Sequence, residues 1–139
     1  MRTIAILIAM FIAQQFQAQT DSTSVTITVQ NLSSDEGNVL FGLYTENNFL
    51  KAAPLYHSKS EIKNGTAQVT FTGIPSGSYA VSCFHDLNGN GQMDFEPTGM
   101  PKEPYGISNN VINYDGPPQW DEAKFEVTDH PVNLNIKIE

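Results

Sequence analysis

Apolar and polar residues alternate one for one in stretch after stretch of this chain, and that period of two constrains the fold more than any other feature. Ser24 to Asn31 sets Val25, Ile27 and Val29 against Thr26, Thr28 and Gln30, and Thr66 to Thr72 repeats the pattern. Val132 to Ile138 sets Val132, Leu134, Ile136 and Ile138 against Asn133, Asn135 and Lys137. A strand sends successive side chains to opposite faces, so each stretch reads as a half-buried strand, and no convincing helical period competes with it. Asn38 to Thr45 is more apolar and reads as a central strand, with Gly42 marking a bulge or a close backbone approach. Asn47 to Tyr56 reads as a short helical turn or an irregular flap. Glu61 to Lys63 forms an edge strand, and the Asn64-Gly65 pair after it is a strong hairpin signal. In Ser78 to His85, Tyr79, Val81, Cys83 and His85 share one face and Ala80, Ser82 and Phe84 the other, which makes Cys83 a small buried hydrophobe. Lys124 to Thr128 and Val132 to Ile138 are expected to close the chain as a hairpin. About seven short strands at regular spacing predict an all-β, antiparallel β-sandwich.

The N-terminus has a different character. Arg2 is followed by an apolar run from Ile4 to Ala13 and then by a polar region ending in small residues, the three-part layout of a signal peptide. Residues 1–19 are read as that leader and 20–139 as one sandwich domain. The apolar run is shorter than the ~20 residues of a membrane span, so no membrane span is expected. The expected address is exported, periplasmic or extracellular. The 139-residue chain carries 7 basic and 15 acidic side chains, a net charge of −8. Losing Arg2 leaves 6 basic groups against 15 acidic ones, a balance of −9. Such a surface repels phosphate backbones, which argues against nucleic acid as a partner. A single cysteine excludes a disulfide scaffold.

From Asp86 to Gln119 the chain is rich in Gly, Asn and Pro, and a loop of this length is uncommon unless functional or tied down. It opens H-D-L-N-G-N-G-Q-M-D-F-E, with Asp86, Asn88, Asn90 and Asp94 at offsets one, three, five and nine and Gly91 at offset six. These are the offsets at which an EF-hand loop wraps oxygen ligands around calcium, with glycine allowing the sharp turn. Gln92 supplies a backbone carbonyl at offset seven. Offset twelve departs from the pattern: Pro97 stands where the bidentate Glu belongs, and Glu103 farther on is the candidate for the missing carboxylate. Asn, Asp and Gly also build Asx-turns without any cation, but five offsets matched at once favour calcium, in a structural role.

No Gly-x-Ser-x-Gly elbow is present, and His57 and His130 have no carboxylate or nucleophile pairing suggested by their context. His85 beside Asp86, or facing Glu103, leaves open a small envelope hydrolase. Phe95, Tyr105, Tyr114 and Trp120, interleaved with Asn109, Asn110, Asn113 and Gln119, suit a carbohydrate or peptide groove, or else roof the core.

Three segments carry a likeness: Gly73 to Asp94, Gly99 to Asn110 and Gly116 to Phe125. Together they resemble a bacterial family of exported proteins known only as domain of unknown function 2141, along essentially the whole chain after the leader. Pro75-x-Gly77-x-Tyr79 alone also resembles transthyretin-like and carboxypeptidase-regulatory modules. The resemblance implies an exported sandwich of Ig-like or transthyretin-like appearance and carries no established activity. It groups His85, Asp86, Asn88, Asn90, Gly91 and Asp94 with Glu103, Tyr105, Gly106, Ser108 and Asn109 and with Pro117, Pro118 and Trp120, as one loop surface with the acidic turn at its base. The expectation is a non-enzymatic exported domain with a calcium loop. Its ligand surface comprises His85, Tyr105, Asn109 and Trp120 and meets a cell-surface polymer or protein. The rivals are the hydrolase and a purely structural accessory domain.

Overall fold

The computed structural model describes residues 22–112 and 116–139. The leader assigned to residues 1–19, with Asn113 and Tyr114, lies outside the described residues. The strands are β1 (Ser22–Val29), β2 (Asn38–Tyr44), β3 (Tyr56–Glu61), β4 (Ala67–Pro75), β5 (Gly77–Asp86), β6 (Tyr105–Ile107), β7 (Phe125–Val127) and β8 (Val132–Ile136). A 3-10 turn occupies Ser108–Asn110, and a single helical turn, α1, occupies Trp120–Ala123. One sheet runs β4-β1-β8; the other runs β3-β2-β5-β6, with β7 paired to the start of β5. The molecule is therefore the expected all-β sandwich, with eight strands among the described residues. No helix among the described residues is long and apolar enough to cross a membrane.

The alternation read from the sequence does what strand geometry requires. Val25, Ile27 and Val29 of β1, Val39, Phe41 and Leu43 of β2, and Val69 and Phe71 of β4 turn inward and are buried. Tyr79, Val81 and Cys83 of β5 meet them across the two sheets in one core. On the outer surface Thr26 pairs with Thr70 (2.9 Å) and Gln68 Nε2 donates to Thr28 Oγ1 (2.8 Å). Burial pushes the Cys83 thiol up to about 12, which leaves it a packing residue and not a nucleophile. A second, smaller cluster holds Phe49, Ala80, Ile107 and Ala123, with Tyr44, Tyr105 and Trp120 against it. Ala80 points opposite to Val81, so this cluster lies on the other face of the five-stranded sheet.

Four sequence expectations change. The edge strand read at Glu61 to Lys63 lies earlier in the chain, as β3 at Tyr56–Glu61. The terminal hairpin does not form: β7 pairs antiparallel with β5, whereas β8 pairs parallel with β1, with Val25 opposite Val132 and Val29 opposite Ile136. Asp129 to Pro131 is a crossing between sheets, and the sandwich carries a parallel pair. The Asn64-Gly65 turn forms as read, with both residues at positive φ (53° and 73°), but it links β3 of one sheet to β4 of the other through a single bridge, Lys63 to Thr66. Asp35 caps it, its carboxylate accepting from the Asn64 and Gly65 amides at 3.0 and 2.8 Å. The stretch from Asp86 to Gln119 is not structureless, since it contains β6 and the Ser108 turn. Gly42 marks a close approach: a Cβ there would lie 2.9 Å from the Tyr44 ring and 3.0 Å from Pro54.

The Pro75-x-Gly77-x-Tyr79 run is a sheet-to-sheet corner. β4 ends at Pro75, β5 starts at Gly77, and the 5%-exposed Tyr79 donates its hydroxyl to the Pro75 carbonyl at 2.8 Å. That bond fixes the corner much as a tyrosine corner does in other sandwiches. Tyr79→Phe keeps the ring and strands the carbonyl, so we expect a loss of about 1 kcal/mol, read as a lower urea midpoint with an unchanged m-value.

Candidate functional site

The long loop leaves the end of β5 and returns to β6, held at its neck by the His85 amide donating to the Pro104 carbonyl (2.9 Å). Within it the alternating short side chains each bond the backbone ahead of them. Asp86 Oδ2 accepts from the Gly91 amide (2.8 Å), Asn88 Oδ1 from Asn90 (3.2 Å) and Asn90 Oδ1 from Gln92 (3.0 Å). Gly89 and Gly91 take φ values of +68° and +77°, the left-handed turns that let the backbone curl. Asp94 closes the curl: its carboxylate accepts from Asn88 Nδ2 (2.8 Å) and Asn90 Nδ2 (2.9 Å). Those two amides, Asn88 first, hold the Asp94 carboxyl below the usual carboxylate range. A carboxyl depressed in the folded state contributes stability that is present above its ordinary value of about 4 and is lost as pH falls through the lower one.

Glu103 sits under this loop, 6% exposed. Its Oε2 accepts from the Leu87 amide (2.8 Å) and its Oε1 from the Asp94 amide (3.1 Å). The distant carboxylate picked out from the sequence thus joins both ends of the acidic turn, as a brace on the backbone. Leu87, Asn88, Asp94, Phe95, Lys102 and Glu103 line a hollow of about 400 Å³ beside it.

Two buried polar atoms have no hydrogen-bond partner among the described residues: Asp86 Oδ1 and His85 Nδ1. Asp86 is 1% exposed, so this oxygen lies away from bulk solvent with no protein donor among the described residues, a costly arrangement for a carboxylate. His85 is also 1% exposed, and its Nε2 lies 2.6 Å from the Glu36 carbonyl. A carbonyl only accepts, so Nε2 carries the proton and the ring faces the interior, away from any substrate in solution. No three His, Cys, Asp or Glu side chains converge on a metal position among the described residues. A cation here would depend on amide and backbone oxygens as well as carboxylates, a donor set of the kind calcium takes and zinc does not.

A family described as an uncharacterized protein conserved in bacteria (DUF2141) has a model that matches residues 27–135. The chain belongs to this family. No curated protein and no solved structure matches it.

In this DUF2141 domain the segment after β6 is a staple. Ser108, fully buried, accepts from the Val81 amide (3.0 Å) and donates to the Ala123 carbonyl (2.6 Å), joining β5 to α1. Asn109, at φ +63°, donates from Nδ2 to the Glu122 and Lys124 carbonyls at 3.0 and 2.9 Å. Asn110 Oδ1 accepts from the Lys137 amide (2.9 Å). Ser108 has no periodic signal in the sequence; the family resemblance groups it with the loop, and the short polar run Ser-Asn-Asn points to side chains that bond backbone. Trp120 stacks edge-on against Phe49 (5.8 Å) and Tyr105 packs on the same outer cluster. Of the four residues read as a ligand surface, Asn109 is exposed, Tyr105 and Trp120 are half-buried, and His85 lies inside at the base of the loop. Asp86, Asn88, Asn90, Gln92 and Asp94 are brought together in one turn, with Glu103 bonded to it from β6's side.

Proposed function

We propose that the Asp86–Asp94 turn is a calcium site on an exported, non-catalytic sandwich domain, and that the ion orders the loop. The observation that carries this reading is Asp86 Oδ1: a buried carboxylate oxygen without a partner among the described residues, beside a turn whose side chains already curl at EF-hand offsets. A cation against that oxygen offsets the cost of its burial. Asp86 and Asp94 supply the carboxylates, Asn88 and Asn90 their amide oxygens and Gln92 a backbone carbonyl, with Glu103 bracing the turn from below. Accepting the ion requires the Asn88 and Asn90 amides to turn their oxygens toward it, since their nitrogens now face Asp94. With Pro97 where the bidentate Glu stands in an EF-hand, affinity falls in the extracellular range, a Kd of about 0.1 to 1 mM. Such a site fills where calcium is millimolar, which suits the expected export. The partner assigned to the loop surface is an extracellular polymer or protein, met through the available ring surface of Tyr105 and Trp120.

Isothermal titration with calcium chloride tests the metal reading. The wild type should give saturable heat and a Tm that rises with calcium, while an Asp86→Ala, Asp94→Ala double variant should give neither. Absence of heat in the wild type, with no Tm difference between calcium and chelator, ends the reading in favour of a structural domain held by its Asx-turns. Export is checked by the mass of the protein recovered outside the cytoplasm, expected to lack roughly the first 19 residues.

A further inference from the structure

The outer face of the five-stranded sheet carries a groove of about 710 Å³, separate from the acidic turn's ligands. Its floor is built from Ser82 and Phe84 of β5 and from Tyr105, which sits opposite Phe84 on β6. One wall comes from the far arm of the long loop, where Phe95 and Met100 are 58% and 63% exposed although both are large and apolar. Small-molecule sites are concave and mostly apolar, typically roughly 300–1,000 Å³, with a few polar groups converging on them. This groove has that composition. Tyr44, Ser82 and Tyr105 are hydroxyl-bearing residues of its lining, and no side-chain hydrogen bond joins them to the other described residues. The remaining polar group decides the class of ligand. Among the described residues Lys51 is the one charged side chain in the lining, and it makes no ion pair with any of them, although the chain carries 15 carboxylate side chains against 7 basic ones. An ammonium lining an apolar groove, with no ion-pair partner among the described residues and on a chain of net charge −8, selects an anionic head group attached to an apolar body.

We propose that this groove binds a small amphiphile, a single carboxylate carried on a hydrocarbon body, with the tail on Phe84, Phe95 and Met100 and the head group at Lys51. The hydroxyls of Tyr44, Ser82 and Tyr105 are the further donors. The occupant is a free molecule, not a membrane surface. The inference is independent of the calcium reading, although the loop that forms the wall is the one the ion would order.

Isothermal titration with decanoate below its micelle concentration, in calcium and again in chelator, tests it. The protein should bind decanoate in at least one condition, and decanol, which has the same tail and no charge, about three- to fivefold more weakly. Lys51→Met should reduce decanoate affinity by that factor and leave decanol unchanged. Met100→Glu, at an exposed position where folding is not at stake, should weaken both ligands about tenfold or more by removing apolar contact. No decanoate heat in either condition overturns the proposal, whatever calcium itself does. Equal binding of decanoate by the wild type and Lys51→Met removes the head-group assignment, and full binding by Met100→Glu places the ligand elsewhere; either result overturns it. Sedimentation with phosphatidylcholine vesicles in the absence of decanoate binding would show a membrane-facing patch instead.

Discussion

Gly37→Ala is expected to destabilise the protein by about 2 to 5 kcal/mol and to lower Tm by about 10 °C or more. Gly37 lies at φ +72°, and a Cβ on it would fall 2.0 Å from the Asp86 carbonyl oxygen and 3.0 Å from Leu87 Cα. Both obstacles are backbone at the root of the acidic turn, so no side chain can rotate away. The neighbouring Glu36 carbonyl holds His85 Nε2, and moving Gly37 outward breaks that bond too. Gly73→Ala is the control. Gly73 has a similar φ, +67°, and a Cβ added there would meet nothing within 4 Å, so it isolates the left-handed backbone penalty of about 1 kcal/mol. Urea midpoints for the two variants decide the matter: if Gly37→Ala is no worse than Gly73→Ala, the close approach to Asp86 is not there.

Glu103→Ala is expected to loosen the loop more than the sandwich. Each carboxylate oxygen accepts from a backbone amide, one at each end of the acidic turn, in a site 6% exposed. Charge-assisted bonds of this kind are worth roughly 1.5 to 3 kcal/mol each, and water entering the gap recovers part of that, so a local loss of about 2 to 4 kcal/mol follows. The Leu87 and Asp94 amides should exchange with deuterium at least about thirtyfold faster, while core amides such as that of Val81 keep their protection. Glu103→Gln keeps one acceptor and turns an NH2 toward the other amide, so it should fall between wild type and alanine. Wild-type exchange at both amides in Glu103→Ala would remove the brace. On the calcium reading the same variant also weakens the ion, through loss of the turn's shape.

Much of this molecule is local chemistry and is legible as such. The strands carrying Val25 to Val29, Val69 to Phe71 and Tyr79 to Cys83 show a period of two because each has one wet face and one dry face. Asn64-Gly65 reads as a turn because few other residues take positive φ cheaply. The curl from Asp86 to Asp94 is local too: its Asx bonds span two to six residues, so spacing alone predicts it. Partner choice is a different kind of information. Val132 to Ile136 alternates equally well in a hairpin with β7 or in a parallel pair with β1, and what decides is which inner face remains to be covered on the far side of the core. Ser108 carries no pattern because a serine stapling two elements looks like any loop serine until β5 and α1 are on either side of it.

Alternation, turn residues and Asx spacing therefore determined that this chain is an all-β sandwich with one tightly curled acidic turn. Only the tertiary structure decided that β7 and β8 part to separate sheets, that Glu103 clamps the loop's backbone, and that Asp86 keeps one oxygen buried and unpartnered among the described residues. Those outcomes depend on desolvation and on contacts between residues far apart in the chain, and neither quantity is written in any single stretch of sequence.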